Sequence, residues 1–112
     1  MLILFIEVLR KDEGDKDEGG LKAGTFKLPF PWLKVALGTS VQWKIKHGHH
    51  EDKFRIVFPN GSPFPNRTEV DECTEALTAT ISGVFSYQVF VTDGMTGTVY
   101  KIDRSPIFDT DP

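Results

Sequence analysis

The sequence predicts an all-β domain, a β-sandwich of seven or eight short strands, and three observations support this fold class. Apolar residues alternate with polar ones at a spacing of two in several segments, as in strands with one buried face. Turns that contain glycine or proline separate these segments at short intervals. No segment sustains the 3.6-residue apolar period of an amphipathic helix. The 112 residues suit a single domain, which we place at residues 1–112.

The chain begins with an apolar segment followed by a charged loop. We interpret residues 1–9, MLILFIEVL, as the first strand, because Glu7 interrupts the apolar run and no basic region or small-residue cleavage site marks a signal peptide. Residues 11–20 hold five acids and three glycines, which predicts a flexible, charged loop. An EF-hand calcium loop that starts at Asp15 is excluded, because its twelfth position is Phe26 instead of glutamate.

Three further strand candidates precede the middle of the chain. Residues 21–28 are a weak candidate, and the prolines within residues 29–32 end it because proline cannot donate to a ladder. Residues 33–37 alternate towards a Gly-Thr turn. Residues 41–45 give the clearest half-buried strand, which predicts that Trp43 lies in the core.

The second half continues the pattern and ends in a hairpin. Residues 54–58 and 75–81 are predicted strands, separated by a long Pro- and Gly-containing turn region. Residues 83–102 predict two strands joined by an Asp-Gly turn, in which glycine adopts a positive φ. On the first of them, one face carries Phe85, Tyr87, Val89 and Val91. Residues 103–112 are predicted to form an acidic tail that contains proline.

Composition excludes several classes of function. A net charge of −3 with singly scattered Lys and Arg argues against a nucleic-acid partner. No apolar run is long enough to span a membrane. Cys73 is the single cysteine, so no intrachain disulfide can form, and we interpret it as a partly buried structural residue. The compartment is left open: cytoplasmic, or periplasmic or secreted if a signal peptide has been removed.

Three segments between residues 33 and 102 share the motif order of a known family. Residues 35–43, VALGTSVQW, contain a strand, a glycine turn and a V-x-W strand. Residues 83–89, GVFSYQV, form an apolar strand, and residues 94–99, GMTGTV, place a methionine before the last strand. Together these segments resemble the cupredoxins, the plastocyanin- and azurin-type copper proteins. The resemblance implies a Greek-key β-sandwich.

The resemblance also implies where a type 1 copper would be held, and most of these positions cannot bind copper. Such a site uses one thiolate, two imidazoles and a weak axial ligand. The cysteine position matches Val89, and the axial methionine matches Met95. The two histidine positions match Phe54 and Thr92. The resemblance therefore predicts a cupredoxin-like scaffold without a type 1 copper site.

A histidine-containing loop keeps a metal-binding alternative open. In an extended segment His47 and His49 point the same way, and His50 follows them. By the resemblance this loop lies at the same end of the sandwich as Met95, and imidazole and thioether donors suit copper or zinc. The other interpretation is a solvated connection whose histidines bind no metal.

No nucleophile elbow, catalytic triad or phosphate-binding loop is recognisable, so the sequence does not predict an enzyme. The leading hypothesis is a metal-free binding or assembly module, without a cofactor, for a protein or small-molecule partner that the sequence does not identify. The alternative is a metal-binding or copper-handling protein that uses the histidine loop.

Two proline-aromatic clusters, at residues 29–32 and 63–65, predict either caps on the core or an apolar docking patch.

Overall fold

The computed structural model describes residues 1–10, 21–27, 31–46, 51–94, 96–101 and 105–112, of which residues 8–10 and 21–27 are described by their backbone alone. The predicted charged loop at residues 11–20 lies outside the described residues. Within these ranges the chain is all-β, as predicted, with no helix. The strands are β1 (Leu2–Arg10), β2 (Leu21–Lys27), β3 (Trp32–Ala36), β4 (Ser40–Lys46), β5 (Lys53–Val57), β6 (Glu69–Asp71), β7 (Leu77–Thr78), β8 (Gly83–Ser86), β9 (Gln88–Thr92), β10 (Val99–Lys101) and β11 (Ile107–Asp111).

These strands form three sheets around one core, an arrangement compatible with a β-sandwich. Sheet A has the order β2-β1-β4-β7, sheet B the order β3-β11-β8, and sheet C the order β10-β9-β5-β6. The β1–β4 and β3–β11 pairs are parallel, and the other pairs are antiparallel. A parallel pair cannot be closed by a tight turn, so each of these two pairs joins segments that are distant in sequence.

Trp43 lies in the core, as the alternation of β4 predicted. Only 3% of its surface is exposed, and four aromatic rings surround it with centroid distances from 5.9 to 6.5 Å. These rings belong to Phe58, Phe64, Tyr87 and Phe108. Phe58 follows β5 of sheet C and Phe108 lies on β11 of sheet B. The indole on sheet A therefore contacts residues from both other sheets.

Tyr87 divides the segment that the sequence predicts as one strand. β8 belongs to sheet B and β9 to sheet C, and Tyr87 stands between them, with its amide donating to the Pro106 carbonyl at 3.0 Å. The predicted inner face is nevertheless correct, because Tyr87, Val89 and Val91 are all buried. The side chain also forms a hydrogen bond with Trp43, whose indole N–H can act only as the donor.

Burial raises the pKa of Tyr87 well above its usual range, against a smaller lowering by the Trp43 hydrogen bond. The phenol therefore stays protonated in the folded state at pH values where the unfolded chain already ionises. The contribution of protonated Tyr87 to the free energy of unfolding is therefore complete below about pH 10, the ordinary tyrosine pKa, and it falls as the pH rises further.

The connection between β9 and β10 differs from the predicted Asp-Gly turn. The Asp93 amide donates to the Thr98 carbonyl, and the Gly97 amide donates to the Asp93 carbonyl, both at 2.8 Å. The positive φ, 76°, falls on Gly97 and not on Gly94. Gly94 is needed for a different reason: a Cβ at this position would lie 2.5 Å from the carbonyl carbon of Glu51.

The end of the chain corrects the predicted tail, because residues 107–111 form the central strand of sheet B. Phe108 and Thr110 face the core while the two aspartates face outwards, so the segment lacks apolar alternation. β6 was also not predicted, since its single buried residue is Val70. These strands, and the division at Tyr87, bring the number in the described residues to eleven instead of seven or eight.

We expect Tyr87→Phe to destabilise the fold although it removes only one hydroxyl. The buried Trp43 indole N–H would lose its acceptor, which costs about 1–3 kcal/mol. Denaturant unfolding followed by circular dichroism measures the change in unfolding free energy. Tyr100→Phe is the matched control, because Tyr100 is only half-buried on β10. Equal losses in the two variants would contradict the role assigned to the hydrogen bond.

We expect Thr110→Val to raise stability. Thr110 is 1% exposed, and among the described residues its hydroxyl has no hydrogen-bond partner. Valine keeps the shape and removes the buried polar group, which should stabilise the fold by about 1 kcal/mol. The measurement is the melting temperature, with Thr78→Val as the control, because the exposed Thr78 hydroxyl has a partner in the Ser40 hydroxyl at 3.1 Å. A lower melting temperature for Thr110→Val would show that the hydroxyl is satisfied.

Candidate functional site

Two loops meet at one end of sheet C, and we call this end the loop pole. Lys53, the first residue of β5, pairs with Thr92, the last residue of β9. Thr92 also pairs with Val99, the first residue of β10. The β4–β5 connection therefore arrives beside the β9–β10 connection. A cleft of about 500 Å³ lies between them and is lined by Glu51, Lys53, Thr92, Asp93, Gly94 and Gly97.

Backbone contacts hold the two loops of the loop pole together. The Gly94 amide donates to Asp52 Oδ1 at 2.8 Å, and Gly94 packs directly on the Glu51 backbone. Asp52 is 6% exposed and Asp93 is fully buried, so both carboxylates belong to the interior of the loop pole. A side chain larger than hydrogen at Gly94 would separate the two loops.

All four predicted metal ligands, His47, His49, His50 and Met95, lie outside the described residues. Of their described sequence neighbours, Lys46 ends β4, and Glu51 and Gly94 line the cleft. The described residues contain no group of three His, Cys, Asp or Glu side chains that could hold a metal ion. The metal prediction therefore stays a prediction.

The positions that match copper ligands lie along the β5–β9 pair, with Phe54 and Thr92 near one end and Val89 near the other. Phe54 pairs with Val91, and Ile56 pairs with Val89. Phe54 is 3% exposed and Val89 is fully buried, and both belong to the hydrophobic core. Thr92 is half-buried and lines the cleft. Phe54 and Val89 are thus diagonal neighbours on the inner face, and both positions are filled by apolar side chains.

Cys73 is exposed, so its interpretation as a partly buried residue is wrong. It lies in a tight turn after β6, where its amide donates to Asp71 Oδ1 at 2.9 Å. The Thr74 hydroxyl donates to the same carboxylate oxygen at 3.1 Å, which fixes the turn. A cleft of about 540 Å³ is lined by Cys73 and by Arg67, Asp71, Thr74, Glu75, Ala76 and Leu77.

The two proline-aromatic clusters differ in burial. Phe64 is 3% exposed and belongs to the rings around Trp43, so this cluster caps the core. Trp32 is 59% exposed on β3, at the edge of sheet B. Phe30 lies outside the described residues. The sequence could not distinguish the clusters, because both place an aromatic ring beside proline.

Each sheet carries an accessible aromatic ring on its outer face. On sheet A, Lys46 Nζ lies 5.8 Å from the ring centroid of Phe5. On sheet C, the guanidinium carbon of Arg55 and Lys101 Nζ lie 5.3 and 5.9 Å from the Phe90 centroid. On sheet B, the neighbour is a carboxylate: Trp32 Nε1 donates to Asp109 Oδ2 at 3.2 Å. Asp109 lies within the predicted tail, so no signal in the sequence associated it with Trp32.

Comparison of the chain with models of known protein families, with curated proteins and with solved structures finds no match.

Proposed function

We propose that this chain is a metal-free, cupredoxin-like binding or assembly module. The observation that carries the proposal is that buried apolar side chains fill two of the matched positions on the β5–β9 pair. Phe54 and Val89 occupy two positions where the resemblance requires an imidazole and a thiolate. Neither side chain has a donor atom, so a type 1 copper cannot be held there. No enzymatic activity and no cofactor are part of the proposal.

The strand register supports the alignment with the cupredoxins. Copper ligands must converge from separate strands, and Phe54 pairs with Val91, which lies between Val89 and Thr92 in the chain. Thr92, the last residue of β9, lies at the same end of this ladder as Phe54. The all-β architecture is compatible with the Greek-key sandwich that we propose on this basis.

The outer faces support a binding role. Exposed apolar residues lie on strands of all three sheets, with Phe5 41% exposed, Trp32 and Val84 each 59% exposed, and Val99 58% exposed. A folded domain gains nothing from exposed apolar area unless a partner covers it, although single apolar side chains on a surface are common. The partner in this proposal is a protein or a small molecule.

The alternative proposal is a metal-binding or copper-handling protein that uses His47, His49 and His50 with Met95. It is supported by the contact between the two loops that flank these residues. The Gly94 amide is 2.8 Å from Asp52 Oδ1, so the segments that lead to the histidines and to the methionine start from one place. Copper and zinc both accept imidazole ligands.

We expect no intense visible band when Cu(II) is added to the purified protein. That colour comes from a copper–thiolate bond, and Cys73, the single cysteine, is exposed in the turn after β6, a strand on the opposite side of β5 from β9. Visible absorption and electron paramagnetic resonance measure the outcome. The matched control is Val89→Cys, which introduces a thiol at the cysteine position. A strong band in the wild-type protein would overturn the metal-free proposal.

Calorimetry with Zn(II) and Cu(II) separates the two proposals. The metal-free module should give no saturable heat at neutral pH. Under the alternative, metal affinity falls as the pH drops through about 6.5, because imidazole must lose its proton to coordinate. A His49→Ala, His50→Ala double variant is the control. Heat that saturates near one metal per chain and is lost in this variant would favour the alternative.

A further inference from the structure

We propose that the outer face of sheet B binds an arginine side chain presented by a short segment of a partner protein. This proposal rests on the binding role proposed above and names its surface and the chemistry of its partner. The residues that form the site are Trp32 on β3, Asp109 and Asp111 on β11, and Val84 on β8. All four side chains lie on the face of the sheet that points away from the core.

The other two sheets show what an accessible ring on this protein attracts. Phe5 has Lys46 over its ring, and Phe90 has both Arg55 and Lys101. Among the described residues, no cation lies over Trp32, although an indole is the most favourable ring for a cation–π contact. Sheet C adds a carboxylate to the arrangement, since Arg55 lies 3.7 Å from Glu69. Sheet B has the ring and the carboxylate but lacks the guanidinium.

The hydrogen bond of Trp32 fixes the orientation of its indole. Trp32 pairs with Ile107, so Asp109 is the diagonal neighbour on the adjacent strand. A strand spacing of about 4.8 Å and a rise of about 3.3 Å per residue put their Cα atoms about 8 Å apart, and the indole extends towards β11 so that its Nε1 reaches Asp109 at 3.2 Å. A ring in this position presents one face to solvent, consistent with the 59% exposure of Trp32. The ring is therefore a pre-oriented platform.

Two carboxylates lie beside this platform. Asp109 and Asp111 are two residues apart on β11, so they share a face at a spacing of about 7 Å. Lys34 lies directly opposite Asp109 in the strand register, and its Nζ is 3.5 Å from Asp111 Oδ2. The Lys34 and Asp111 side chains are 65% and 47% exposed, and such a pair contributes little. A guanidinium can stack on an indole and donate two parallel hydrogen bonds to a carboxylate, whereas an ammonium cannot donate in this paired geometry.

The size of the face selects a short segment over a globular partner. Sheet B has three strands of five, five and four residues. Its flat area is roughly 14 by 17 Å, or about 240 Å², at a strand spacing of about 4.8 Å and a rise of about 3.3 Å per residue. A stable interface between folded proteins buries about 800 Å² per partner. Val84, opposite Asp109 on β8, offers an apolar contact to a residue two positions from the arginine in an extended segment.

The experiment titrates the protein with a capped heptapeptide that has a central arginine and valines two residues away on each side. Two matched peptides replace the arginine by lysine or by neutral citrulline. Indole N–H resonances report binding directly, because the chain has two tryptophans and Trp43 is buried. We expect the arginine peptide to shift the Trp32 resonance, with affinity that falls as salt is added. The citrulline peptide should bind roughly tenfold more weakly.

Variants of the protein locate the site. Asp109→Asn keeps an acceptor for the Trp32 N–H but removes the charge, and it should weaken the arginine peptide roughly tenfold. Lys34→Ala removes the resident cation beside Asp111 and should leave binding equal or tighter. Glu69→Gln, on the outer face of sheet C, makes the same charge change elsewhere and should have no effect. Circular dichroism confirms that each variant is folded.

Three outcomes would overturn the site: equal binding of the three peptides, equal loss in Asp109→Asn and Glu69→Gln, or a Trp32 shift caused by a neutral disaccharide such as cellobiose and by no peptide. Each outcome leaves the metal-free scaffold standing. Conversely, a copper–thiolate band would overturn the proposed function and leave this site intact, because neither Trp32 nor Asp109 takes part in metal binding.

Discussion

The packing of aromatic rings around Trp43 is the contact on which the relation of the three sheets depends. The indole comes from sheet A, Phe58 from the end of a strand in sheet C, and Phe108 from the central strand of sheet B. Edge-to-face ring pairs contribute about 0.5–1.5 kcal/mol each beyond the area that they bury. A buried indole also needs an acceptor for its N–H, and the Tyr87 hydroxyl supplies it. The core therefore requires one orientation of the Trp43 indole, in addition to burying apolar area.

Tyr87 links this core to the loop pole. It stands where the chain leaves β8 of sheet B and enters β9 of sheet C, so the residue that bonds to Trp43 also directs the next strand. Five residues later, β9 ends at Thr92, beside the start of β5. The position of the cleft between Glu51 and Gly94 thus follows from how the tyrosine is held in the core.

Much of the fold could be predicted from local alternation, and the parts that could not be predicted share one physical cause. β4 and β9 bury apolar residues at every second position, so their inner faces follow from the sequence. β11 places Thr110 and not a second large apolar residue on its inner face, and it pairs with β3, about 75 residues away in the chain. Such pairing depends on distant contacts that a local pattern does not contain. Gly94 is similar, since its constraint comes from Glu51 across the cleft.

In the candidate sites, too, residues could be predicted within one segment of the chain, but contacts between distant segments could not. The sequence marks the histidines and Met95 because donor atoms are visible in a single chain segment. It marks Trp32 and Phe64 equally, and only packing separates the buried ring from the exposed one. Asp109 could not be assigned to Trp32, because that pair exists only once β11 lies beside β3.

On the proposed alignment, the loss of metal ligands changes what the scaffold can do. A buried side chain of the size of valine or phenylalanine contributes about 1.5–3 kcal/mol, so Phe54 and Val89 stabilise the β5–β9 pair without a metal. Folding then no longer depends on metal supply. A closed core also leaves recognition to the outer faces, where two accessible rings already have cations of this chain over them. Trp32 has a carboxylate at its edge and an open ring face, so the unfilled contact is one for a cation from another molecule.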